Sequence, residues 1–136
     1  MTQSALLLFE SNAFPIAPGE DEQTNPGIFG RALAEWVGDR LREQGLPAEA
    51  VIAEDFGWCV PVRLAPHAVY VACASGEEST DSGRWQLFVF AEGGLLQRLF
   101  GTDTRGEAIQ SVFTAVRQAL ESSSGIRNLT EESAEP

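Results

Sequence analysis

A chain of 136 residues with 43% hydrophobic content has the length of one globular domain and enough apolar material to close a core without a disulfide staple. Its charge is one-sided: 20 Asp and Glu oppose 9 basic residues, every one an Arg, for a formal net charge of −11. A field of that sign repels phosphate backbones and anionic lipid headgroups, so neither nucleic acid nor a membrane is an expected partner, whereas a basic protein surface would be steered towards it.

The start, Met1-Thr2-Gln3-Ser4, carries no basic residue, and the apolar run Ala5 to Phe9 is too short for a secretory leader. No stretch reaches the 18 apolar residues of a membrane span, and a cytoplasmic protein is expected. Residues 3 to 10 alternate well enough to predict a strand buried on both faces. From Ser11 through Pro15, Pro18, Gly19 and the cluster Glu20-Asp21-Glu22, breakers and the lack of periodicity predict a long loop, a kind of segment that is often functional. Asn25 as a cap, Pro26 in the first helical position and Gly45 as a stop predict the first helix. Its apolar stripe is Ile28, Phe29, Ala32, Leu33, Trp36, Val37 and Leu41, with Arg31, Glu35, Asp39 and Glu43 opposite.

Beyond Pro47 the pattern changes to short β-prone runs, Ala50 to Ala53, Trp58 to Leu64, Ala68 to Ala74 and Trp85 to Ala91, punctuated by Gly57, Pro66 and the polar stretch Gly76 to Gly83. Pro61 cannot donate to a ladder, so its strand lies at an edge or turns that position outwards. Leu95, Leu96, Leu99 and Phe100 predict a short helical turn. Thr104 and Glu107 have the spacing of a capping box before a helix with the stripe Ile109, Val112, Phe113, Val116 and Leu120.

Two amphipathic helices, each with one stripe, are packed most economically on one face of a sheet. The expected fold is therefore α+β: a two-layer sandwich with a mainly antiparallel sheet of about five strands and two main helices on one face. Residues 1–125 form its single domain, and 126–136 form an acidic tail that is expected to be disordered. If Trp85, Leu87 and Val89 face the helices, then Phe88 and Phe90, joined by Tyr70, face away, and an aromatic patch there is a candidate interface with a partner or a second copy.

The densest constellation is Glu54-Asp55-Phe56-Gly57-Trp58-Cys59, at a turn between strands. A thiol becomes a nucleophile only as thiolate, and the neighbours here are anionic, so Cys59, like Cys73, reads as a small buried hydrophobe. His67 at a strand start could pair with Cys59 or Cys73 across strands as a nucleophile–base dyad. Glu10, Glu20, Asp21, Glu22, Glu54 and Asp55 could converge at one sheet end, yet none has the spacing of a calcium loop, and no metal or cofactor is expected. Asp55-Phe56-Gly57 matches a kinase metal-binding triplet in a chain with no glycine-rich phosphate loop and far too short for that fold.

The blocks Asn25-Pro26-Gly27-Ile28-Phe29-Gly30-Arg31-Ala32-Leu33-Ala34-Glu35-Trp36, Glu54-Asp55-Phe56-Gly57-Trp58-Cys59 and Leu96-Gln97-Arg98-Leu99-Phe100 resemble a family of small uncharacterised bacterial proteins, over roughly Phe9 to Leu129. The resemblance implies a bacterial origin and no particular reaction. The function expected from the residues is protein binding rather than catalysis, with an immunity- or inhibitor-like partner of a basic protein as its specific form. Glu20, Asp21, Glu22, Glu54 and Asp55 would then steer and Trp58 would anchor. One alternative is a small-ligand site or enzyme using the Glu54–Cys59 turn with Glu10 and Asn12; another is a structural homodimer formed through Tyr70, Phe88 and Phe90.

Overall fold

The computed structural model describes residues 2–75, 83–91 and 105–133. Among the described residues seven strands, all paired antiparallel, build one sheet: β1 Thr2–Gln3, β2 Leu6–Glu10, β3 Ile52–Glu54, β4 Gly57–Leu64, β5 His67–Ser75, β6 Arg84–Ala91 and β7 Arg127–Glu132. Their order is β3-β4-β5-β6-β2-β7, with the two-residue β1 also lying on β6. β1 and β2 are one run broken by a bulge, because the register moves from Gln3 opposite Phe90 to Leu7 opposite Leu87. Ser4 fills the gap: its amide donates to the Val89 carbonyl at 2.7 Å and its hydroxyl accepts from the Val89 amide at 2.9 Å.

Helices α1 (Arg31–Glu43) and α2 (Arg105–Glu121) cover one face, as the two apolar stripes require. Leu33, Val37 and Leu41 from α1 and Ile109, Val112, Val116 and Leu120 from α2 close on Leu7, Phe9, Val60, Val62, Val69, Val71, Leu87 and Val89. This is an α+β two-layer sandwich, with six main strands where about five were expected. None of the described helices is long and apolar enough to cross a membrane.

Local chemistry explains most boundaries. At the end of α1, Gly45 adopts φ 86°. Its amide donates to the Arg42 carbonyl at 3.0 Å, and the Leu46 amide donates to the Leu41 carbonyl at 3.0 Å, the paired bonds of a Schellman stop. Pro61 sits in a strand flanked on both sides, with its missing donor turned towards the irregular 47–49 segment. There only its carbonyl is engaged, accepting from the Glu49 amide at 2.7 Å. Phe14, in the expected loop, is a core residue: its ring meets Phe9, Trp36 and Trp85 edge-on at 5.5–6.5 Å and pins residues 11–16 to the sheet.

Two expectations change. The first helix begins at Arg31, not after Asn25, because Gly27 and Gly30 hold φ of 84° and 151° and keep the chain out of helical geometry until then. Residues 127–132 of the expected tail are instead strand β7, which pairs along β2 with Leu8 opposite Thr130 and Glu10 opposite Arg127. One apolar side chain, Leu129, is enough to pack this edge against the core. A bulge and the exposed Glu131 and Glu132 blunt its outer rim. The expected Leu95–Phe100 turn and the Thr104 cap lie outside the described residues.

Candidate functional site

The expected acidic contact loop is largely occupied by the fold itself. Glu20 is only 5% exposed. Its Oε2 accepts from the amides of Gly30 at 2.7 Å and Arg31 at 2.9 Å, and its Oε1 accepts from Ala17 at 3.2 Å. This carboxylate therefore caps α1 from ten residues upstream, where it also meets the positive end of the helix dipole. Asp21 likewise accepts from the Gly27 amide at 2.9 Å, and only Glu22 of the three is fully exposed.

Trp58 is no exposed anchor either. It is 3% exposed on the helix side of the sheet, with the Arg31 guanidinium 5.5 Å from its ring centre. Its indole Nε1 finds no acceptor among the described residues. The same region joins the 25–36 and 54–59 blocks of the sequence. Asn25 Nδ2 donates to the Asp55 carbonyl at 2.8 Å, and Gly30 and Gly57 both close on the Cys73 carbonyl, leaving no space for a Cβ on either. These blocks form a joint between the loop, the turn and the end of β5.

The remaining nominated residues do not assemble into a reactive centre. Glu10 and Glu54 lie on strands four places apart in the sheet, roughly 19 Å at ~4.8 Å per strand. Glu10 instead accepts from Asn128 Nδ2 at 3.0 Å, beside the exposed Asn12. Among the described residues no group of three His, Cys, Asp or Glu side chains comes together. Cys73 belongs to the core between sheet and helices while Cys59 lies in the cluster on the opposite face, so the two free thiols are on opposite sides of the sheet. Burial, with a smaller contribution from the Glu54 charge, pushes the Cys59 thiol up to about 12, and burial also raises Cys73. His67 is buried on the same side as Cys73 but six residues away along β5, roughly 20 Å at ~3.3 Å per residue, which separates that pair.

What the structure does bring together is the aromatic face. Tyr70 and Phe90 stack at 5.1 Å, and Phe88 lies 5.8 Å from Phe90. Phe56, which nothing in its local pattern singles out from its turn, folds back over them at 6.0 Å from Phe90 and 6.4 Å from Phe88. Cys59, Ala72 and Phe90 are buried in this cluster and Tyr70 and Phe88 are half-buried, while Phe56 remains 45% exposed and Ile52, on the same face, 40%. Leu6 and Leu8 alternate with Leu7 and Phe9 and extend the apolar face to β2. Both described helices lie on the other side, and the face is bounded by exposed Glu54 and Asp55 at one end of β4 and by Arg63 at the other. Arg63 pairs with Glu49 at 2.9 Å, which lowers the Glu49 carboxyl below its ordinary value. Beside Tyr70, a hollow of about 150 Å³ opens between Ile52, Pro61, Arg63 and Ala68.

Comparison with family models, with curated proteins and with solved structures returns no match to this chain.

Proposed function

We propose that this chain is a protein-binding module that docks through the sheet face that neither described helix covers. The observation that carries the reading is the cluster of Phe56, Tyr70, Phe88 and Phe90 on a face that neither described helix covers. Aromatic side chains supply large contact area with few rotors to freeze, and a contiguous apolar patch on a sheet face is the usual mark of an interaction surface. The reading moves the contact away from Glu20 and Trp58, which are buried, to the neighbouring turn, where Phe56 anchors and Glu54 and Asp55 receive a cationic side chain. Cytoplasmic location and a bacterial origin belong to the same proposal.

Site-specific photocrosslinking tests it. The photoreactive p-benzoylphenylalanine placed at position 56 is expected to trap a protein, whereas the same group at Glu35, exposed on α1, is expected to trap none. Equal trapping from both positions, or none from either, would refute docking through this face.

A further inference from the structure

Strand β7 is poorly matched to the strand it covers. On its inner side β2 meets its equals in β6, with Leu7 opposite Leu87 and Phe9 opposite Trp85. On its outer side Leu6, Leu7 and Leu8 lie opposite Glu132, Glu131 and Thr130, so the cross-strand contacts that stabilise a sheet are forgone. Of the six β7 side chains only Leu129 is even half-buried. The seat is irregular as well: the register shifts between Leu8 and Glu10, and Asn128 holds φ 55°, a conformation an L residue resists. Two side-chain bonds pin the strand, Asn128 to Glu10 and Glu131 to Arg117, both exposed and therefore weak, and Arg117 is shared with Glu121.

The strand beneath is the reverse case. Leu7 and Phe9 belong to the core, at 0% and 3% exposure, so β2 needs a neighbour on its outer side. We infer that β7 is a displaceable strand, and that the β2 edge it holds is the seat for an extended segment of a partner protein with apolar side chains where β7 carries Thr130 and Glu132. This does not rest on the docking face proposed above, although the two surfaces meet at Leu6 and Leu8.

The seat defines its occupant. Antiparallel pairing along β2 supplies backbone bonds to any extended chain, and the alternating side chains select among chains. β-Branched or aromatic residues opposite Leu8 and Leu6 gain the contacts that Thr130 and Glu132 forgo, an aliphatic residue in the place of Leu129 seals the core, and a carboxylate in the place of Glu131 keeps Arg117. Replacing β7 is favoured over adding to it, because the outer rim of β7 carries the bulge and the exposed Glu131 and Glu132. A second copy of this chain would bring the same mismatched β7, so the segment belongs to a different protein.

Amide exchange and peptide binding on the full chain test the inference. The protected amides of β7 are expected to exchange at least about a hundredfold faster than those of Leu87 and Val89, through a local opening that precedes unfolding. Thr130→Val with Glu132→Val in the chain is expected to slow them about fivefold. A fluorescent peptide spanning residues 125–134 with those two replacements is expected to bind the wild-type chain, and the unsubstituted peptide at least about fivefold more weakly. In a Leu8→Cys, Thr130→Cys chain the directly opposite positions are within disulfide reach. Oxidation of that chain is expected to abolish binding and reduction to restore it, which a misfolded variant would not do. Exchange of β7 in step with β6, binding undiminished by the crosslink, or binding of neither peptide at millimolar concentration overturns the inference and leaves docking through the aromatic face to its own crosslinking test.

Discussion

Replacing Glu20 by Ala isolates what its carboxylate does for α1. The side chain accepts three backbone amides, at Ala17, Gly30 and Arg31, and the Gly30 contact is fully buried. Orphaning one buried donor costs ~1–3 kcal/mol, and losing an N-terminal cap costs a further ~0.5–2 kcal/mol. The sum is about 3 kcal/mol, and in a domain of this size each 1 kcal/mol moves the melting point by ~3–4 °C, so a fall of about 10 °C is expected. Glu20→Gln keeps one oxygen for the Gly30 and Arg31 amides but loses the charge and turns its NH₂ towards another donor, so about half that loss is expected. Glu22, exposed in the same short 3-10 turn, is the control: Glu22→Ala stays within ~0.5 kcal/mol of wild type. Urea and thermal unfolding measure the differences. Amide exchange at Gly30 and Arg31 locates them, since both amides exchange faster in Glu20→Ala. A Glu20→Ala variant as stable as Glu22→Ala would refute the capping role and return Glu20 to the surface.

Glycine tolerance in the joint follows the space around each position. Gly30→Ala and Gly57→Ala both drive a Cβ into the Cys73 carbonyl oxygen at φ 151°, whereas Gly27→Ala at φ 84° meets nothing within 4 Å. In urea titrations the first two are expected to lose at least ~2–3 kcal/mol and Gly27→Ala only ~1 kcal/mol. Truncation before Arg127 strips β2 of its β7 partner and exposes the apolar edge beneath Leu129, so the shortened chain is expected to melt well below the full one; an unchanged melting point would mean that residues 127–132 are a free tail. The buried thiols set an alkaline limit. Both are raised in the folded chain, so their contribution is complete below the ordinary thiol range near 8.5 and is lost as pH climbs above it, for Cys59 until about 12, at up to ~1.4 kcal/mol per pH unit for each. Stability measured from pH 7 to 11 is expected to fall above about pH 9 and to fall less in Cys59→Ala; a flat profile would contradict the burial of these groups.

The strands were legible because β-branched runs between Gly and Pro leave little choice of element, and the separation of Trp85, Leu87 and Val89 from Phe88 and Phe90 follows from strict alternation. The stop at Gly45 was legible for the same local reason. The start of α1 was not, because its capping group is a carboxylate ten residues upstream, and a local window sees only Asn25 and Pro26. Strand β7 was hidden by its polarity: with Leu129 as its one apolar side chain, Arg127–Glu132 carries the composition of a solvated tail, and only its pairing to β2 makes it a strand. Which acids contact the backbone and which contact solvent was equally out of reach, since Glu20 and Glu22 are alike in sequence and differ only in what the fold places beside them.

Gly57 links the two halves of the molecule. Its φ of 151° and its contact with the Cys73 carbonyl let the chain reverse between β3 and β4 within two residues, so that Trp58 passes beneath the sheet towards Arg31 and Phe56 passes over it towards Phe88 and Phe90. On the helix side the surrounding polar groups are committed: Asn25 to Asp55, Ser75 to Gly27 and Phe29, Glu20 to the start of α1. The Trp58 indole N–H is the exception, with no acceptor among the described residues, and the glycines there are accounted for by close approach. The outer side of the same turn carries the opposite inventory, a half-exposed phenyl ring and two carboxylates without a cationic partner among the described residues. Rigidity beneath is what makes that outer side useful, because an aromatic anchor held in one position by a locked turn loses less entropy on docking than one carried on a mobile loop.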